Sequence, residues 1–162
     1  MAFTVYVSHS TSPWELAHVY ALADEAARRG FGVDVPDRDW DPAGPLPQRI
    51  VLVLSHASVI LFLATQSGNQ VSWMNSEMAA APRSAPVIAL VEPGIEVQGI
   101  PRESVVSLDR GNIAESIEAT LRRLQDLRFT RETTNLLAGF VVGALALLVL
   151  RAFTSGGRGQ DG

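Results

Sequence analysis

Residues 46–64 read LPQRIVLVLSHASVILFLA, and the fold turns on how this stretch is divided. It contains two short apolar runs, 50–54 and 58–63, and composition alone reads both as strands. A helix over 46–56 followed by a strand over 58–64 restores the alternation of strands and helices found on either side, and that division is adopted.

Upstream, the β-branched and aromatic run at residues 3–7 reads as a buried strand leading into a turn, Ser8-His9-Ser10-Thr11-Ser12-Pro13. Ser12 is a good N-cap, with proline next and Glu15 at the third helical position, so a helix starts there. Its apolar face is Leu16, Val19, Tyr20, Ala23, Ala26 and Ala27, and Gly30 stops it. Residues 33–35 form a second strand, and 36–47 a loop rich in proline, glycine and aspartate. Downstream come a helix over 71–81, strands over 86–91 and 104–108, and a long amphipathic helix capped by Asn112. This order predicts a mainly parallel five-stranded sheet with helices on both faces. Such sheets bind ligands beyond the carboxyl ends of their strands, where residues 8–12 and 34–44 fall.

With 162 residues the chain has room for one domain and a tail, and 47% hydrophobic residues suffice for a core. A formal charge of -4 offers no basic footprint for nucleic acid. The absence of cysteine rules out disulfides and thiolate chemistry. His9, His18 and His56 lack metal-ligand spacing, so no metal is expected.

Residues 136–150, LLAGFVVGALALLVL, carry no polar side chain. Spanning a bilayer takes about 17–25 residues, so a last core helix is the alternative. The flanks favour a span: Arg151 can snorkel, and Ala152 and Phe153 extend the apolar surface. The expected organisation is a domain over 1–129, a linker over 130–133, a transmembrane helix over 134–153 and a flexible tail over 154–162. Arg122, Arg123, Arg128 and Arg131 precede the span and only Arg151 and Arg158 follow it. The positive-inside rule then gives a single-pass cell-membrane protein with its N-terminal domain cytoplasmic, in contact with the lipid bilayer. Gly139 and Gly143 have the Gly-x-x-x-Gly spacing that pairs spans in a homo-oligomer, although glycine is frequent in spans generally.

Three stretches, residues 5–10 (VYVSHS), 38–44 (RDWDPAG) and 72–77 (SWMNSE), together resemble motifs of TIR (Toll/interleukin-1 receptor) domains. Val5-Tyr6-Val7-Ser8-His9-Ser10 resembles their first box, although Thr4 stands where many carry an acidic residue. Arg38-Asp39-Trp40-Asp41-Pro42-Ala43-Gly44 resembles the second box, Arg-Asp-x-x-Pro-Gly, with Ala43 inserted. Ser72-Trp73-Met74-Asn75-Ser76-Glu77 resembles the Ser-x-Trp-x-x-x-Glu neighbourhood of the helix after the third strand. The resemblance covers 1–129, implies a flavodoxin-like sheet, and supports the helix over 46–56. A short domain followed by a hydrophobic tail is similar to bacterial defence TIR proteins.

Many TIR domains cleave the nicotinamide–ribose bond of NAD+, and the resemblance places their essential glutamate at Glu77. NAD+ would then be a substrate, with no cofactor required. Trp73 lies four residues before Glu77, on the same helical face, where its indole can wall the carboxylate. Nicotinamide leaves a cationic ring as a neutral base, so no general acid is needed. One carboxylate can stabilise the oxocarbenium-like transition state. Ser8, His9 and Ser10 are candidates for contacting ribose or phosphate, or are turn residues. Arg38 and Asp39 are candidate NAD+ contacts, or a mutual salt bridge ordering the loop. Trp40 is a candidate for TIR–TIR packing, and Glu77 is otherwise an exposed helix residue. The expected function is a membrane-tethered NAD+ glycohydrolase or cyclase, active on self-association in antiphage or stress defence, with a second defence protein as a further partner. The alternative is a non-catalytic TIR adaptor signalling through TIR–TIR contacts and its membrane segment.

Overall fold

The computed structural model describes residues 3–41, 43–68, 71–97 and 99–155, with the side chains of residue 71 and of 136–155 left aside. The elements are β1 (Thr4–Ser10), a 3-10 turn (Pro13–Glu15) leading into α1 (Leu16–Arg28), β2 (Gly32–Asp34), α2 (Gln48–His56) and β3 (Val59–Ala64). There follow α3 (Val71–Ala80), β4 (Val87–Val91), a 3-10 turn (Arg102–Ser104), β5 (Val105–Ser107) and α4 (Ile113–Ser155). The chain divides into two compact units, Met1–Leu124 and Gln125–Gly162.

The first unit carries one sheet in the order β2-β1-β3-β4-β5, with every pairing parallel. The stretch 46–64 divides as its surroundings require. In α2 only Ile50 and Leu54 are fully buried, one helical turn apart, while Val51 and Leu52 face outward. That spacing is helical, which the unbroken apolar run conceals. β3 is buried along its whole length, as befits a central parallel strand covered on both faces. Tyr6, Ile60, Phe62, Ala64, Ala89 and Val91 form one core with Ile50 and Leu54 of α2 and Met74 of α3. α1 buries Val19, Leu22, Ala23 and Ala26, whereas Tyr20, expected on that face, is 54% exposed. Gly30 ends α1 at φ 80°, a left-handed conformation that favours glycine.

The first expected turn needs correction. Ser8, His9 and Ser10 are strand residues, paired with Phe62, Leu63 and Ala64 of β3. The apolar run of β3 extends this far, and β1 must match it to satisfy the backbone groups of a buried ladder. The turn begins at Thr11.

α4 runs through residues 130–133 without interruption. Among the described residues no helix is long and apolar enough to cross a membrane. The side chains that carry the expected span, and residues 156–162 of the expected tail, lie outside those described.

Candidate active site

The strand period of two decides what the residues of β1 can reach. Tyr6 and Ser8 share the face that packs under α3, and His9 points to the opposite face. Glu77 comes down from α3 onto the first of these faces and is 0% exposed. The Tyr6 hydroxyl donates to Glu77 Oε1 at 2.9 Å, and the Ser8 hydroxyl donates to Oε2. Burial, reinforced by the adjacent Glu77 carboxylate, holds the Tyr6 phenol protonated well above its ordinary range, which keeps it a donor. Tyr6 was not among the expected site residues. The signal for it lay in the alternation that places residues 6 and 8 side by side.

The loop after β2 supplies the countercharge. Arg38 donates through Nη1 to Glu77 Oε1 and through Nη2 to Oε2 at 3.3 Å, in a bidentate pair whose side chains are 9% and 0% exposed. Its Nη2 also donates to the His9 carbonyl at 3.0 Å, tying the loop to β1. The guanidinium lies 5.4 Å from the centroid of the Trp73 ring, a cation–π contact. Trp73 packs edge-on against Trp40 at 6.0 Å and donates its indole N–H to the Trp40 carbonyl at 3.1 Å. Trp73 therefore clasps the loop that carries Arg38. The mutual salt bridge expected as one alternative for Arg38 and Asp39 is not formed: Arg38 pairs with Glu77, and the exposed Asp39 pairs with Arg49 of α2. Arg38 Nε and Trp40 Nε1 are buried and find no hydrogen-bond partner among the described residues.

Ser8 thus joins Glu77, while Ser10, also buried, lies further along the same face at the strand end. His9 lines a cavity of about 140 Å³ with Thr11, Leu16, Tyr20, Pro36 and Arg38. Arg38 is shared: it lines this cavity and also holds Glu77. Among the described residues no group of His, Cys, Asp or Glu is arranged to hold a metal ion.

Burial, with a smaller contribution from the Arg38 charge, lowers the His9 pKa from 6.5 to about 4. The folded state thus keeps His9 neutral while the unfolded chain protonates it, so stability falls as the pH drops from 6.5 towards 4. At ~1.4 kcal/mol per pH unit this is worth roughly 3 kcal/mol. Urea unfolding at pH 7 and pH 4.5 is expected to show the loss in the native protein and little of it in His9→Gln. Equal losses in both would place the titration elsewhere.

No family model matches the sequence, and no curated protein matches it. Solved structures do. A chain of the crystal structure of the RPS4 and RRS1 TIR domain heterodimer is similar over 80% of this chain and 99% of its own, with a TM-score of 0.62 at 12% identity. A metazoan TIR-STING receptor from C. gigas matches 72% of this chain and 39% of its own, with a TM-score of 0.45 and 16% identity. The strand order, the helix placement and the similarity to the RPS4/RRS1 domains together give the first unit the fold of a TIR domain.

Proposed function

We propose that the protein is a TIR-type NAD+ glycohydrolase or cyclase of bacterial defence, tethered by a transmembrane helix over 134–153, that breaks the nicotinamide–ribose bond when copies self-associate. The observation that carries this reading is Glu77, a carboxylate excluded from water on which a phenol, a hydroxyl and a loop guanidinium converge. A carboxylate in such surroundings exerts its field on a developing oxocarbenium ion at far lower effective dielectric than in water. Nicotinamide leaves without a proton, so no second carboxylate is required.

Glu77 is covered as it stands, fully buried with Arg38 closed over its carboxylate. Substrate entry therefore needs the loop over 36–47 to swing outward, taking Arg38 off the carboxylate. The buried, unpartnered Arg38 Nε and Trp40 Nε1 favour that movement, because each buried donor without a partner costs about 1–3 kcal/mol. Contact between copies through Trp40 would capture the open loop, and the similarity to a TIR heterodimer supports such contact. A bilayer would raise the effective concentration of copies.

The test is nicotinamide release from NAD+ by the full-length protein reconstituted into vesicles. Glu77→Gln keeps the shape and one of the two acceptor oxygens while removing the charge, and is expected to lower turnover by about 10²–10³-fold. Turnover equal to that of the native protein would end the proposal. The second reading, a TIR adaptor, is favoured by the full set of partners that Glu77 already has. It expects no turnover in any protein, and partner binding lost in Trp40→Ala but kept in Glu77→Gln.

A further inference from the structure

In a sheet ordered β2-β1-β3-β4-β5, the chain leaves β1 toward one edge and returns through β3 toward the other. The crevice between the loops after β1 and β3 is where such folds ordinarily receive the anionic group of a ligand. Here that crevice is full. Glu15, only 4% exposed, directs its carboxylate into it. Oε2 accepts from the Ser12 hydroxyl at 2.7 Å, the Ser12 N–H at 3.2 Å, the Thr65 hydroxyl at 2.6 Å and the Ser67 hydroxyl. Oε1 accepts from Arg110 Nη2 at 2.8 Å. Arg110 is fixed in turn by Glu92, whose Oε2 accepts from Nη2 at 3.0 Å. Hydroxyls, a backbone amide and a guanidinium from three separate loops are the donor set of a phosphate or carboxylate site. The anion is supplied by the chain.

We propose that this crevice is an anion site permanently occupied by Glu15, which closes the customary ligand position of the fold to phosphate and opens it to a small oxyanion once that side chain is cut back. Burial pushes the Glu15 carboxyl up, but hydrogen bonds from Ser67, Thr65 and Ser12 outweigh it and hold the pKa at about 2. The resident charge therefore persists across the working pH range. Gly68 seals the same place, because its Cα lies against the Ser10 backbone and leaves no room for a Cβ. A dinucleotide acting at Glu77 would have to seat its phosphates elsewhere, although the inference itself does not depend on that activity.

Thermal unfolding of the full-length protein is followed while inorganic phosphate, or acetate, replaces chloride at constant ionic strength. The native midpoint is expected to stay fixed. That of Glu15→Ala is expected to rise by a constant increment for each tenfold increase in anion above its Kd. If Glu15→Ala does not fold in chloride, the same site predicts recovery of its cooperative transition in phosphate or acetate. Adding Thr65→Val to Glu15→Ala removes one donor, and the anion affinity is expected to drop at least tenfold. Three results would overturn the proposal: a native midpoint that climbs as steeply as that of the variant, a Glu15→Ala protein indifferent to both anions, or an affinity unaffected by Thr65→Val. None of these readouts involves NAD+ turnover, so this inference and the proposed activity can fail separately.

Discussion

Replacing Glu77 with alanine is expected to lower the unfolding free energy by about 3–5 kcal/mol, because it strands a buried guanidinium without its countercharge. The Tyr6 and Ser8 hydroxyls lose their acceptor at the same stroke. Removing both charges together should cost much less: in Glu77→Leu/Arg38→Met the pair is replaced by apolar side chains of similar length, an exchange that is often nearly neutral. A double-mutant cycle built with Glu77→Leu, Arg38→Met and the pair, read by urea unfolding, is therefore expected to give a coupling energy of at least ~2 kcal/mol. Coupling below ~0.5 kcal/mol would mean that Arg38 does not hold Glu77 in solution. The same cycle reports on the loop. Arg38→Met alone leaves the buried Glu77 carboxylate unpaired and is expected to cost about 3–5 kcal/mol as well, whereas a small cost would mean that the loop does not hold Glu77 buried in solution.

Gly68→Ala is the second large effect, expected to cost more than about 2 kcal/mol. A methyl group there would overlap the carbonyl carbon and oxygen of Ser10. Those atoms are backbone in a strand paired with β3, so no rotamer change relieves the clash. Either the end of β1 or the loop after β3 must move, and both carry donors to buried carboxylates. Gly32→Ala is the internal comparison. Its new Cβ would come no closer than 3.7 Å to any neighbour, an ordinary contact, and a change within about 0.5 kcal/mol is expected. Similar losses at both positions, measured by denaturant midpoint, would refute the steric account of Gly68.

The sheet was legible because its signals are local: apolar runs of strand length, Gly30 as a stop, and an alternation that divides 46–64 into helix and strand. Boundaries were less so. Ser8 to Ser10 look like a turn by composition, and only pairing with the apolar β3 draws these polar residues into the strand. Glu77 was identified through motif resemblance alone, since nothing in the helix sequence distinguishes it from a solvated glutamate. That it pairs with Arg38 rather than leaving Arg38 to Asp39 could not be read from adjacency, because burial favours the partner that shares the core. Glu15 was legible only as a helix-start residue. Its other partners, Thr65, Ser67 and Arg110, arrive from loops remote in sequence, and no local pattern announces them.

The positions of Glu77 and Glu15 along the chain bear on the order in which a nascent polypeptide completes their contacts. Tyr6, Ser8 and Arg38 all precede Glu77, so every donor is already synthesised when α3 emerges and the site can close at once. Glu15 is made early and waits for Arg110, which follows the last strand. Parallel pairings delay this further, since each needs a crossover before it can form. Of these two networks, that of Glu15 is thus the later to be completed, because it closes only once the chain beyond β5 has been made.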